Sequence, residues 1–270
     1  MAAMLTHDLR EQLRDLGRAR PRTRWRQPPR VGARSLSEAL DGAVTSTRHG
    51  DFFVWEKRLS DTYSDASVLV ERLLAGLAAA GERRDEHPAF GLLADAPFER
   101  VVWIDLETTG LHGRPLFMIG TMWWDGRDLL LRQTFARDYS EERAVLADFK
   151  QAAREVEVLV SFNGKSFDWP YLRDRMIYHR LSSREPAGHV DLLHPSRRRW
   201  RGVLPDCRLQ TLERHLCRRV RRGDIPGAEI PQRYHEFVHC QDPRLVAPIF
   251  HHNRLDLVTM AELLIALLDV

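Results

Sequence analysis

Asp105 and Glu107 stand two positions apart in the run Val101-Val102-Trp103-Ile104-Asp105-Leu106-Glu107-Thr108-Thr109-Gly110. If this run is a strand, both carboxylates leave the same face, because strand side chains alternate with a period of two. Neighbouring carboxylates repel one another and are costly to bury unpaired. A divalent cation removes that repulsion, and an all-oxygen donor set suits Mg²⁺ or Mn²⁺ rather than zinc. Asp-x-Glu alone also fits two ordinary surface acids. Two later segments add to it. In Val160-Ser161-Phe162-Asn163-Gly164-Lys165-Ser166-Phe167-Asp168, a strand and a turn lead to Asp168 at a helix start, where an acid also serves as a plain N-cap. In His251-His252-Asn253-Arg254-Leu255-Asp256, the last acid precedes the amphipathic set Leu257, Met260, Leu264 and Leu267. Its ordinary role there is dipole compensation at a helix start. A histidine four residues before an Asp shares its face if both are helical.

The elements that must position these groups read as α/β from Phe98 onward. Val101–Leu106 is almost continuously apolar, as in a central strand covered on both faces. Leu116–Trp124 and Leu129–Ala136 read as strands joined by a turn at Asp125-Gly126. Ser140 caps a helix running to Arg154, with acids in its first turn. Val156–Phe162 and Val190–Leu193 are extended, and 168–178, 210–217 and 256–268 are helical. The expected fold class is a mixed α/β sheet with helices on both faces, over residues 96–270. Residues 1–95 read as a basic, partly irregular N-terminal extension. Within it lie a helix near Leu5–Leu16, a strand at Asp51–Glu56 and a helix from Ser67 to Ala80.

Composition narrows the class. The chain has 270 residues, 43% of them hydrophobic, which excludes general disorder. No apolar run nears the roughly 20 residues needed to span a bilayer, and the start lacks a secretory h-region, so no membrane association is expected. Three cysteines, Cys207, Cys217 and Cys240, make no disulfide framework and suit a reducing cytoplasm. The net charge is only +3, yet Arg10 to Arg34 holds nine arginines against two acids. Further arginines cluster at 197–201 and 218–222. Such forks suit phosphates, and equally a solvated surface.

Together the segments "WIDLETTGL", "SFNGKSFDWPYL", "HVDLLHPSRRRW", "LQTLERHL" and "HHNRLDLVTMAELL" resemble the motifs of the DEDD 3′→5′ exonucleases of the ribonuclease-H-like superfamily. They are similar above all to the YprB-like subgroup of predicted bacterial exonucleases. The resemblance runs from about Phe98 to the C-terminus. It implies that Asp105, Glu107, Asp168 and Asp256 hold two divalent cations, Mg²⁺ or Mn²⁺, that hydrolyse phosphodiester bonds by two-metal chemistry. The substrate implied is the 3′ end of single-stranded DNA or RNA, and the products are nucleoside 5′-monophosphates. The general base stays open between two neighbours. His252 occupies the slot four before the last acid and His251 the slot five before it. His251 is slightly preferred because family histidines act at that spacing. Thr108, Thr109, Gly110, Leu111 and Asn163 are candidate substrate contacts, with Leu111 at the position that wedges against the terminal base. Asp191 is a lesser candidate, as a supporting residue or a helix cap. Trp123, Trp169, Tyr171 and Trp200 are candidates for stacking on bases, or for plain packing.

Two other functions compete. One is a nucleic-acid-binding module with a degenerate nuclease site, against which the intact acids argue. The other is a zinc protein: His235-Glu236-Phe237-Val238-His239 fits H-E-x-x-H, but zinc would need a third ligand.

Overall fold

A computed structural model describes residues 35–111, 113–221 and 223–268. The helix expected near Leu5–Leu16 and the arginine-rich arm through Arg34 lie outside these residues. Among the described residues no helix is long and apolar enough to cross a membrane.

The described residues begin with α1 (Leu36–Leu40), closed at its N-terminus by a capping box between Ser35 and Glu38. A hairpin follows, β1 (Ala43–Thr47) and β2 (Gly50–Arg58), then α2 (Ala66–Ala79) and α3 (Pro88–Asp95). Three strands come next: β3 (Val101–Thr108), β4 (Leu116–Trp124) and β5 (Leu129–Phe135). After them run α4 (Glu142–Ala152), β6 (Val158–Ser161), α5 (Asp168–Tyr178) and β7 (Gly188–Asp191). The chain ends in α6 (Leu193–Trp200), α7 (Leu209–Leu216), α8 (Ile230–Cys240) and α9 (Pro243–Leu267).

The strands make one sheet in the order β1-β2-β5-β4-β3-β6-β7. β3, β6 and β7 run parallel and the remaining pairs antiparallel. β3 is central, and Val101, Val102, Trp103, Ile104 and Leu106 are all buried, as its unbroken apolar run requires. Register places Asp105 opposite Gly120, and Gly120 opposite Gln133. That row faces α9, whose Asn253 reaches both Asp105 and Gln133. The adjacent row, Ile104, Thr121 and Arg132, faces the other way. There Arg132 pairs with Asp148 of α4 at 3.0 Å. Helices therefore cover both faces of a mixed sheet, the expected fold class.

Two boundaries differ from the sequence reading. Residues 43–58 were expected in a separate extension, but β2 pairs with β5 and so adds the β1–β2 hairpin to this sheet. Phe52, Phe53 and Trp55 are buried there, with the Phe53 ring edge-on to Phe250 of α9 at 5.8 Å. α2 packs on α9 as well. The local pattern identified the strand, but only its partner shows which sheet it joins. The last helix was expected from residue 256. It starts thirteen residues earlier at Pro243, capped by Asp242. Pro243 occupies the first turn, where no backbone donor is needed, and Pro248 costs the helix one hydrogen bond. Asp256 therefore sits in mid-helix, so dipole compensation at a helix start does not explain it.

Candidate active site

Three elements bring the four expected acids together. β3 presents Asp105 and Glu107 on its α9 face, close to its C-terminal end, where α/β folds place ligands. α5 begins at Asp168, and α9 supplies Asp256. Glu107 and Asp168 are buried. Burial, then repulsion from Asp256, Glu107 and Asp168, holds the Asp105 carboxyl well above the usual range. Glu107 is likewise raised by burial and by Asp256, Asp168 and Asp224. Burial pushes Asp168 up to about 7. Asp256 is raised by burial despite the opposing charges of Arg221 and His252. So much shared repulsion in one buried place is the condition a divalent cation relieves, and an all-oxygen set suits Mg²⁺ or Mn²⁺.

The acids are not drawn together around one point: among the described residues no three His, Cys, Asp or Glu side chains form a ready metal cage. Internal partners hold two of them apart. Asp105 Oδ2 accepts a hydrogen bond from Asn253 Nδ2 at 2.7 Å. Asp256 Oδ1 accepts one from Arg221 Nη2 at 2.5 Å. Asp105, held by a neutral amide, keeps lone pairs for a cation, whereas the Arg221 guanidinium sets a positive charge against Asp256.

The two histidines separate cleanly. On a continuous helix a residue four before Asp256 lies about 40° from it around the axis, and one five before lies about 140° away. His252 Nε2 accordingly stands 3.4 Å from Asp256 Oδ2, while its Nδ1 meets Asp224 Oδ1 at 2.8 Å. A carboxylate on Nδ1 fixes the ring and leaves Nε2 to face the acids. Burial opposes ionisation of Asp224, but His252 and Arg221 outweigh it and hold its carboxyl below the usual range. His251 is partly buried on another side of α9. The slight preference for His251 rested on family spacing, which does not say which face of α9 each histidine occupies.

The candidate substrate contacts divide. The Thr108 hydroxyl donates to the Gly110 carbonyl at 2.9 Å, and the Thr109 hydroxyl to the Pro115 carbonyl at 3.0 Å. Both are thus spent on the loop's own backbone. Gly110 has φ +149°, a conformation that favours glycine. Leu111 is 76% exposed on this loop. α5 clamps the loop from below. Tyr171 donates to the carbonyls of Gly110 and Arg114, and Arg175 to that of Gly113. Arg175 is itself fixed by the buried carboxylate of Glu142. Asn163 adopts a left-handed φ of 66°, and its backbone N–H donates to Asp191 Oδ1 at 2.7 Å. Asp191, buried, also accepts from the amides of Lys165 and Leu193. It therefore shapes the turn that delivers Asp168. Trp169, Tyr171 and Trp200 are buried packing residues, and Trp123 is half-buried.

Sequence reasoning passed over four supports. Asn253 ties Asp105 to Gln133, whose Nε2 donates to Asn253 Oδ1 at 2.8 Å. Gly120 leaves room for that amide, and a glycine inside the apolar strand "FMIGTMWW" was the available signal. Gly164 does the same for Asp168: a Cβ there would lie 2.8 Å from Asp168 Oδ2 and 2.2 Å from Ser161 Oγ. Arg221 was hidden in an arginine cluster read as a surface patch, and no local pattern marks it.

The zinc motif fails on geometry. It lies on α8, but His235 Nδ1 meets the Tyr139 hydroxyl at 2.6 Å, and Glu236 accepts from Gln232. Among the described residues no third ligand joins His235 and His239.

Comparison with known proteins agrees with this architecture. The chain is 32% identical over 168 residues to the uncharacterized protein YprB of Bacillus subtilis, covering 60% of this chain and 40% of that protein. It is 32% identical over 178 residues to the uncharacterized protein MJ0365 of Methanocaldococcus jannaschii, covering 62% of this chain and 94% of that one. It thus spans well under half of one relative and nearly all of the other. Among solved structures, the family B DNA polymerase of the archaeon Pyrobaculum calidifontis shares the fold. It matches with a TM-score of 0.50 at 20% identity, over 62% of this chain and 24% of that one. Residues 102–268, more than half of the sequence, match the family model described as RNase_H superfamily, and this chain belongs to that superfamily.

Proposed function

We propose that this protein is a metal-dependent 3′→5′ exonuclease of the DEDD type, acting on single-stranded DNA or RNA and releasing nucleoside 5′-monophosphates. The observation that carries this reading is the set of four carboxylates from β3, α5 and α9, all raised by burial or by one another. Asp105, Glu107, Asp168 and Asp256 would hold two divalent cations. Cations there would lower the pKa of an attacking water and neutralise charge on the phosphate. The protein's own part is orientation. Asn253 aims Asp105, Asp191 shapes the approach to Asp168, and Asp224 fixes the ring of His252 so that Nε2 takes the water's proton. Leu111, exposed on the loop after β3, would wedge against the terminal base.

The test is a 3′- or 5′-labelled single strand incubated with Mn²⁺, its product lengths followed in time. Mononucleotides released from the 3′ end support the reading. Internal cuts would make the enzyme an endonuclease, and binding without degradation would make it a non-catalytic module. In the same assay His252→Ala loses about a hundredfold or more, the usual contribution of a general base, and His251→Ala loses far less. Equal, mild effects would remove both histidines from the chemistry.

The raised carboxyls carry a pH signature. A carboxyl raised by the fold keeps its proton there and releases it in the unfolded chain. Its stabilising effect is full below the unfolded value near 4 and is lost as pH rises through the folded value, about 7 for Asp168. Metal binding needs the ionised forms. The gain in melting temperature on adding Mn²⁺ is therefore expected to be larger at pH 8 than at pH 5.5. An equal gain at both, read by calorimetry, would place the bound metal elsewhere.

A further inference from the structure

Arg221 is surrounded in an unusual way. It lies in the connection between α7 and α8, and its side chain is only 8% exposed. Each face of its guanidinium fork meets a different carboxylate. Nε donates to Glu213 at 2.5 Å, Nη1 to Asp224 at 3.1 Å and Nη2 to Asp256 at 2.5 Å. Glu213 and Asp224 lie outside the four acids assigned to metal. Glu213 is also held by Arg219 at 2.6 Å, and Arg219 in turn by Glu262. Arg221 thus keeps two anionic partners even if it gives up Asp256. Against the combined repulsion of Asp105, Glu107, Asp168 and Asp256, Arg221 is, among the described residues, the arginine paired with one of these four acids, and it holds a carboxylate oxygen a cation would need.

We propose that Arg221 is a built-in counter-ion that competes with the divalent cation for Asp256, so that metal loading at this carboxylate requires Arg221 to withdraw onto Glu213 and Asp224. This rests on the nuclease reading of the four acids and adds to it a regulation of the same site. Three features make the exchange feasible. Nη2 alone holds Asp256, so one hydrogen bond breaks rather than a bidentate pair. The anions on Nε and Nη1 keep the guanidinium charge compensated during the exchange, which avoids the penalty of an isolated buried cation. The arginine sits on a connecting segment, whereas Asp256 sits in the middle of a 25-residue helix, so the arginine is the partner able to move. An empty acid cluster is thereby kept from repelling itself apart until a cation arrives.

A purely supporting arginine would predict the reverse, namely that its loss weakens metal binding by letting Asp256 wander. The experiment is titration of the full-length chain with Mn²⁺ alone, without nucleic acid, by isothermal calorimetry, on wild type, Arg221→Gln and Arg221→Lys. Competition predicts that Arg221→Gln binds Mn²⁺ about tenfold more tightly, the equivalent of one charge-assisted hydrogen bond no longer surrendered. Arg221→Lys falls between, because one ammonium cannot span three carboxylates. Thermal melting checks that each variant folds. If Arg221→Gln does not, Arg221→Lys decides, and tighter binding than wild type is still required. Equal or weaker binding in the folded variants overturns the proposal. If that result comes with Mn²⁺-dependent degradation by the wild type, the nuclease reading stands and only the competition falls. If no form binds Mn²⁺ and no strand is degraded, both fall.

Discussion

Asp105→Asn is expected to abolish nuclease activity, by about a thousandfold or more, while the protein folds as well as the wild type. The size of the effect follows from charge. The amide is nearly the same shape, but it lacks the anionic oxygen with which Asp105 would hold a divalent cation, and in metal-assisted phosphoryl chemistry that contribution is worth several kcal/mol. The retained fold follows from the surroundings. Asp105 is held well above the usual carboxylate range by burial and by three neighbouring acids, so its charge opposes folding when no metal is present. Its one polar partner, the Asn253 amide, still finds an oxygen on the substituted side chain. The metal-free variant should therefore melt at or above the wild-type temperature, and Mn²⁺ should raise its melting temperature less than the wild type's. Asp256→Asn is a useful contrast, because it also takes an anion from Arg221 and carries a cost in stability that Asp105→Asn does not. Activity within tenfold of wild type for Asp105→Asn would remove this carboxylate, and with it the metal assignment, from the site.

How much of this was legible beforehand depends on whether a feature is local. The strand Leu116–Trp124 and the helix start at Asp168 were readable because their signals, apolar continuity and a turn before an acid, lie within a few residues. The acids on β3 were readable for the same reason. Their environment was not. That Asp105 faces Gly120 and Gln133 is a matter of register, and register is set by pairing across the sheet. Which histidine shares a face with Asp256 depends on α9 running unbroken through residues 251–256, and that helix starts well before them at Pro243. The arginine clusters were visible as composition, but composition does not distinguish a patch from a buried network. Arg199 caps carbonyls at the end of α9, and Arg219 and Arg221 are consumed by Glu213, Glu262, Asp224 and Asp256. Those arginines hold the fold and the site together rather than offering forks to phosphate.

The least conspicuous of these positions carries the second large prediction. Gly120→Ala is expected to destabilise the protein by about 2–4 kcal/mol and to depress activity strongly, although it adds a single methyl group. A Cβ at this position would lie 2.0 Å from Asn253 Oδ1 and 2.8 Å from Asn253 Nδ2, well inside van der Waals contact. Neither side can yield easily. Gly120 is pinned between β3 and β5 in the middle of the sheet, and Asn253 is fully buried on α9. The amide must turn away, and it then loses the hydrogen bonds at 2.7 Å to Asp105 and at 2.8 Å to Gln133. Buried polar groups left without partners account for most of the loss in stability, and a misaimed Asp105 accounts for the loss in activity. The mechanism makes a non-additive forecast. In the double variant Gly120→Ala with Asn253→Ala the obstructing amide is gone and the new methyl has space, so the double variant should melt higher than Gly120→Ala alone while remaining poorly active. Thermal melts of the four proteins in this cycle read the coupling directly. Additive losses would mean that the methyl group is accommodated by a shift of α9 as a whole, and that Asp105 does not depend on the Asn253 amide for its position.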